Sequence, residues 1–223
     1  MGKLIAIEGL DGSGKTTQIE LLSKRLREEG IPADTISFPN YESDSSALVK
    51  MYLAGDFGSK PGDVNAYAAS LFFAVDRYAS FKTDWGKYYN GGGVVISARY
   101  TTSNAIHQTS KLPESEWDSY LDWLFETEFE KMGLPRPDLV IFLDMPPEVS
   151  QKMITGRYHG DETKKDIHER DRGYLDRCRK AATYIAEKNG WHTVRCAENG
   201  EPRSREEIAE EIYSEVTELM RRG

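Results

Sequence analysis

The chain has 223 residues, 39% of them hydrophobic and 30% charged, with a formal net charge of −8. That length suits an α/β core; the longest apolar runs, Leu4–Ile7 and Leu139–Leu143, are strand-sized, so neither a membrane span nor a signal peptide is expected. The acidic balance argues against a general nucleic-acid binder, and Cys178 and Cys196, which lack metal-ligand spacing, read as reduced thiols in a cytoplasmic protein.

In chain order, the apolar run Leu4–Glu8 predicts a strand and Lys15–Glu29 a helix closed by Gly30. A strand over Asp34–Phe38 and a long helix over Asn65–Tyr88 follow, then a strand over Val94–Ala98 and a helix over Glu114–Met132. The last third reads as a strand over Leu139–Asp144, helices over Glu148–Thr155 and Glu169–Asn189, a strand over His192–Cys196 and a helix over Arg205–Arg222. Near-continuous apolar strands and βαβ alternation predict a doubly wound, five-stranded parallel sheet flanked by helices. No linker or repeat divides residues 1–223, so one domain is expected. Gly156 to Asp171 is dense in charge and poor in apolar residues, and reads as a mobile lid.

Between the first strand and helix lies Gly9-Leu10-Asp11-Gly12-Ser13-Gly14-Lys15-Thr16, which fits G-x-x-x-x-G-K-[ST] in its required setting, and Thr17 continues the helix. Such a loop turns its backbone N–H groups onto phosphate oxygens at a helix N-terminus. Lys15 is expected to reach the β- and γ-phosphates of ATP, and the Thr16 hydroxyl to take a Mg2+ position.

In open α/β sheets ligands sit beyond the carboxyl ends of the strands. Those ends carry Phe38-Pro39-Asn40-Tyr41 and Arg99-Tyr100. Phe73 and Arg77 lie one turn apart on the long middle helix. Phe73 reads either as core or as a ring for a base, and Arg77 and Arg99 as the local positive charge that an acidic total conceals.

These segments resemble the thymidylate kinases, nucleoside monophosphate kinases of the P-loop class. The resemblance rests on Glu8–Thr17, Phe38–Tyr41, Phe72–Arg77, Ala98–Asn104 and Pro137–Asp144, five motifs in the family's order. It implies transfer of the ATP γ-phosphoryl to dTMP, with Mg2+, and a homodimer. By the same resemblance Phe73 stacks on thymine, Arg77 and Asn104 contact the base, Arg99 and Tyr41 hold the acceptor phosphate, and Phe38 and Glu169 belong to the acceptor site. Two positions depart. Ala98 stands where the family usually has aspartate near the metal, which leaves Thr16, the nucleotide and water, with Glu8 or Asp11 further out. His107 stands where a tyrosine commonly closes over the 2′ position of the sugar; a loop histidine bonded to backbone is the alternative. Gly12 replaces the arginine that some relatives carry in the P-loop, so a lid cation is expected from Arg157, Lys164, Lys165 or Arg170, with Arg157 preferred. An acceptor phosphate is already a nucleophile, so alignment and charge neutralisation carry the reaction. Rival readings are a kinase for another pyrimidine nucleotide or a deoxynucleoside, and a nucleotide-binding protein disabled at Ala98.

Overall fold

The computed structural model describes residues 2–151 and 172–222. Its sheet is built from β1 (Lys3–Gly9), β2 (Ala33–Ser37), β3 (Val94–Ala98), β4 (Leu139–Asp144) and β5 (His192–Arg195), in the order β2-β3-β1-β4-β5. Each neighbouring pair is parallel; Ile5 sits opposite Ile96 on one side and Leu139 on the other. β1 is central, and its side chains alternate between two apolar layers. Ile5 and Ile7 face Leu22 and Leu26 of α1 (Lys15–Glu28) and Ile208, Ile212 and Val216 of the last helix, Arg205–Arg221. Leu4 and Ala6 face the opposite way, onto Trp85, Tyr89 and Tyr100. Helices therefore cover both faces, and the five-stranded doubly wound sheet is as the alternation required.

The helices differ from expectation in instructive places. α2 (Ala47–Ala54) and α5 (Thr101–Thr109) were not anticipated. The long middle helix is a rod in three pieces: α3 (Ala66–Ser80), a π-turn at Phe81–Trp85, and α4 (Gly86–Asn90). Asn65 caps α3, its Oδ1 accepting from the Ala68 N–H at 2.8 Å. Past β3 and α5, Glu114–Met132 resolves into a short 3-10 turn, α6 (Trp117–Phe125) and a second π-turn at Glu126–Lys131. Residues 147–151 are helical, α7 spans Arg172–Asn189, and α8 is the closing Arg205–Arg221. A two-stranded hairpin, β6 (Ala197–Glu198) with β7 (Glu201–Pro202), precedes α8. The rest of the helix expected at 148–155, the start of that expected at 169–189, and the lid with Arg157, Lys164, Lys165, Glu169 and Arg170 lie outside the described residues.

Candidate active site

The loop after β1 is shaped by two glycines above all. At Gly9 a Cβ would come within 2.5 Å of Ser13 Oγ and 3.0 Å of the Leu143 carbonyl. Gly14 enters α1 with φ +91°, a left-handed conformation that costs a residue with a side chain about 1–2 kcal/mol. A cavity opens over this loop, walled by Gly12, Gly14, Lys15, Thr16 and Thr17 on one side and by Ser37, Ala98 and Arg99 on the other, with Asp11 between. Lys15 Nζ donates to the carbonyls of Gly9 and Leu10 at 2.9 Å each, which holds the ammonium over the loop. Leu10 is itself buried and lines neither wall of this cavity.

A second cavity adjoins the first. Its walls bring together Phe38, Tyr41, Phe73, Arg77, Arg99, Asn104 and His107, residues drawn from three separate segments of the sequence. Asp11 and Arg99 belong to both cavities. The Arg99 guanidinium pairs with the Asp11 carboxylate through Nη2, and its Nη1 lies 3.2 Å from His107 Nε2 and 3.5 Å from Ser103 Oγ.

Three buried carboxylates hold this arrangement. Glu8, fully buried on β1, accepts from the Tyr100 N–H at 2.9 Å and from the Thr102 and Ser103 hydroxyls at 2.6 Å each. It thereby anchors the N-terminus of α5, where a negative charge is also favoured by the helix dipole. Both Glu8 oxygens thus accept from groups of the protein itself. Arg99, just before α5, takes φ +66°. That strained turn is held by the Arg99 N–H to the Ile7 carbonyl at 3.2 Å and by Ser97 Oγ donating to the Arg99 carbonyl. Asp76 accepts from the Asn40 N–H at 2.8 Å and from Ser45 Oγ at 2.6 Å, which pins the segment carrying Phe38 and Tyr41 to α3. The third carboxylate is Glu128. It accepts from Arg77 Nε at 2.7 Å and Nη2 at 2.5 Å, and Arg77 is itself 1% exposed.

Phe73 stands between core and cavity: its ring meets Tyr52 edge-on at 6.2 Å while it lines the cavity wall. Tyr41 is 53% exposed at the mouth. His107 is on α5, not in a loop. Its Nδ1 lies 3.4 Å from Tyr174 Oη and 3.6 Å from Cys178 Sγ. Burial pushes the Cys178 thiol up to about 12, so it stays protonated beside the imidazole. Two lining residues escaped the sequence reading, Leu53 and Gln108; Gln108, 1% exposed, has neither amide atom bonded. Its place one turn after Asn104 on the same helix face was the available signal.

Residues 7–208 match the family model described as thymidylate kinase. A thymidylate kinase of Mycobacterium tuberculosis is 36% identical over 170 residues, covering 75% of this chain and 78% of that protein. A probable thymidylate kinase of Pyrobaculum aerophilum is 32% identical over 222 residues, 98% of this chain and 96% of its own. The thymidylate kinase of Schizosaccharomyces pombe is 31% identical over 166 residues, 74% and 70% of the two chains.

Proposed function

The chain belongs to the thymidylate kinase family, as an ATP-dependent nucleoside monophosphate kinase, and we propose that its two adjoining cavities take ATP and dTMP for transfer of the γ-phosphoryl to give dTDP. The observation that carries the assignment of residues is the shared wall. A cradle for donor phosphates and a cavity lined by an aromatic ring, two arginines and an amide meet at Arg99 and Asp11. An in-line transfer needs that adjacency, because the acceptor oxygen must approach to about 3–3.5 Å of the γ-phosphorus.

In this reading Lys15 turns its ammonium from the Gly9 and Leu10 carbonyls onto the β- and γ-phosphates, while the N–H groups of the loop and α1 hold the rest of the chain of phosphates. Arg99 binds the acceptor phosphate, Tyr41 stands at the mouth, Phe73 stacks on the base, and Arg77 and Asn104 read its edge. Among the described residues no three His, Cys, Asp or Glu side chains gather into a metal-sized cluster. The oxygen donors at the cradle, Thr16 with Asp11 and Ser37 near it, fit a Mg2+ ion that keeps most of its waters and leans on the nucleotide. When bound, that ion would neutralise charge on the β- and γ-phosphates. Ala98 adds no ligand, and Asp11 is the carboxylate that lines the cradle with it.

Residues 1–223 are read as one kinase domain. A homodimer through α3 is supported by Tyr67, Leu71, Val75 and Tyr78, exposed apolar side chains on one face of that helix, beside exposed Leu48 and Met51 of α2. Two free buried cysteines suit a reducing, cytoplasmic setting.

The test is a coupled ADP-release assay against dTMP, dUMP, dCMP, UMP and thymidine. The highest kcat/KM should belong to dTMP. A better UMP, dCMP or thymidine would show that the acceptor is misassigned, and ATP binding without turnover on any of them would mean a disabled enzyme.

A further inference from the structure

The base end of the second cavity rests on a carboxylate that no motif marked. Glu128 sits in the π-turn that follows α6, fully buried; such turns re-aim a helix face and recur at functional sites. Its Oε2 accepts from Arg77 Nε and from Thr101 Oγ1, each at 2.7 Å. Its Oε1 accepts from Arg77 Nη2 at 2.5 Å and from Asn104 Nδ2 at 3.2 Å. Asn104 Nδ2 also donates to the Ser70 carbonyl at 3.1 Å.

Those two partners of Asn104 carry no hydrogen to give. The atom facing them must therefore be the amide nitrogen, and both of its hydrogens are used. Oδ1 is what Asn104 has left, and it accepts. Arg77 spends Nε–H and one Nη2–H on Glu128 and keeps the Nη1 hydrogens, which donate. Both side chains line the cavity, so a base meets an acceptor beside a donor. That pair complements an N–H beside a carbonyl, the imide edge of thymine or uracil. Cytosine presents an unprotonated ring nitrogen and an amino group, and mismatches at both.

We infer that Glu128 is a positioning residue that sets base selectivity, by fixing the amide orientation of Asn104 and the plane of Arg77. The inference rests on the dTMP reading above and deepens it.

Glu128→Gln is the test. A glutamine has one accepting oxygen and a donating nitrogen, so it cannot serve four donors, and the Asn104 amide becomes free to turn. The ratio of kcat/KM for dTMP to that for dCMP should narrow about tenfold or more, the scale of one mispaired buried polar group, with the ATP KM unchanged. Glu128→Asp, which keeps the charge on a shorter arm, should restore part of the ratio. A purely structural role would lower both acceptors together, and an unmoved ratio overturns the inference. Should Glu128→Gln not fold, the test passes to Thr101→Val, an isosteric change that removes one donor from the carboxylate. It should move the ratio in the same direction, and a ratio equal to wild type again overturns the inference. A wild-type enzyme that does not prefer dTMP brings down the acceptor assignment and this inference with it; a wild type that does, with variants that match it, brings down this inference alone.

Discussion

Removing the Arg99 guanidinium separates catalysis from stability more cleanly than any other change in the cleft. Arg99→Ala retains a Cβ, so the left-handed backbone at φ +66° is equally strained in both proteins. The folded state loses the contact with Asp11, a part-buried pair whose side chains are 18% and 25% exposed, and the approaches of Nη1 to His107 and Ser103; together these are worth about 1 kcal/mol, the upper end for an exposed pair. For a chain of this size that is a fall in Tm of roughly 2–4 °C at most. The kinetic loss should be of another order. A guanidinium fork on a phosphate makes two charge-assisted hydrogen bonds, each worth about 1.5–3 kcal/mol. Losing both lowers kcat/KM for dTMP by at least ~10²-fold. ATP is held by loop amides and Lys15, so its KM should shift by less than about threefold. Arg99→Lys should recover part of the rate, since a point charge does not replace the fork. Steady-state assays varying each substrate, with thermal unfolding alongside, read all of this. Equal rises in both KM values, or a stability loss as large as the kinetic one, would refute the placement of Arg99 on the acceptor phosphate.

Lys15→Ala should cut kcat by at least about 10²-fold with the fold intact, as expected for one lost contact to the transferring charge; near-normal turnover would exclude the cradle as the donor site. Ala98→Asp should lower the Mg2+ concentration needed for half-maximal rate, because a carboxylate would stand beside the cradle; an unchanged or poorer response would mean that the site is organised around the alanine. Burial lowers the Lys111 ammonium to about 7, and the neutral amine's two hydrogens match its two acceptors, Tyr52 Oη at 2.9 Å and the Val64 carbonyl at 3.1 Å. Between pH 7 and 10 the unfolded chain holds a proton there that the folded chain does not, so stability should rise with pH by up to ~1.4 kcal/mol per unit. Lys111→Met should flatten that part of the stability–pH curve, and an unchanged slope would show that the ammonium stays charged.

What was legible in the chain was what periodicity and loop chemistry encode. β1, β3 and β4 announce themselves because strands covered on both faces read as near-continuous apolar runs. The phosphate loop is legible because its glycines answer a backbone demand visible in the spacing. α5 was not legible: Thr101-Thr102-Ser103-Asn104 are weak helix formers that compete for backbone hydrogen bonds, and they become a helix because Glu8, far away in sequence, anchors that end. The hairpin β6–β7 had its signal in Asn199-Gly200, whose φ values are +51° and +80°, but strands of two residues leave no alternation to read. For the site, most residues that face the cavities were found; the lining residues Leu53 and Gln108, and the buried Glu128 behind two of the others, were not. Phe73, Arg77 and Arg99 sit in recognisable motifs. Glu128 and Gln108 are ordinary helix residues by sequence, and their roles appear once tertiary contacts give them partners or withhold them.

An acidic protein that binds two anionic nucleotides must keep its cations available without leaving them bare. The two arginines of the cleft meet that demand differently, and the difference follows from burial. Arg77 and Glu128 are 1% and 0% exposed; separating such a pair leaves a buried charge uncompensated, at about 3–5 kcal/mol. No base edge repays that, so on the proposed reading Arg77 would meet its ligand with the hydrogens Glu128 leaves over, in a geometry fixed before the ligand arrives. Arg99 and Asp11 are only part-buried, and their pair costs about 1 kcal/mol to separate, the upper end for an exposed pair. A doubly charged phosphate outbids a single carboxylate for the same fork. On the proposed reading, Arg99 would exchange Asp11 for the acceptor phosphate at the boundary of the two cavities. On that reading the base contact is fixed in advance by Glu128, and the phosphate contact is an exchange of one partner for another.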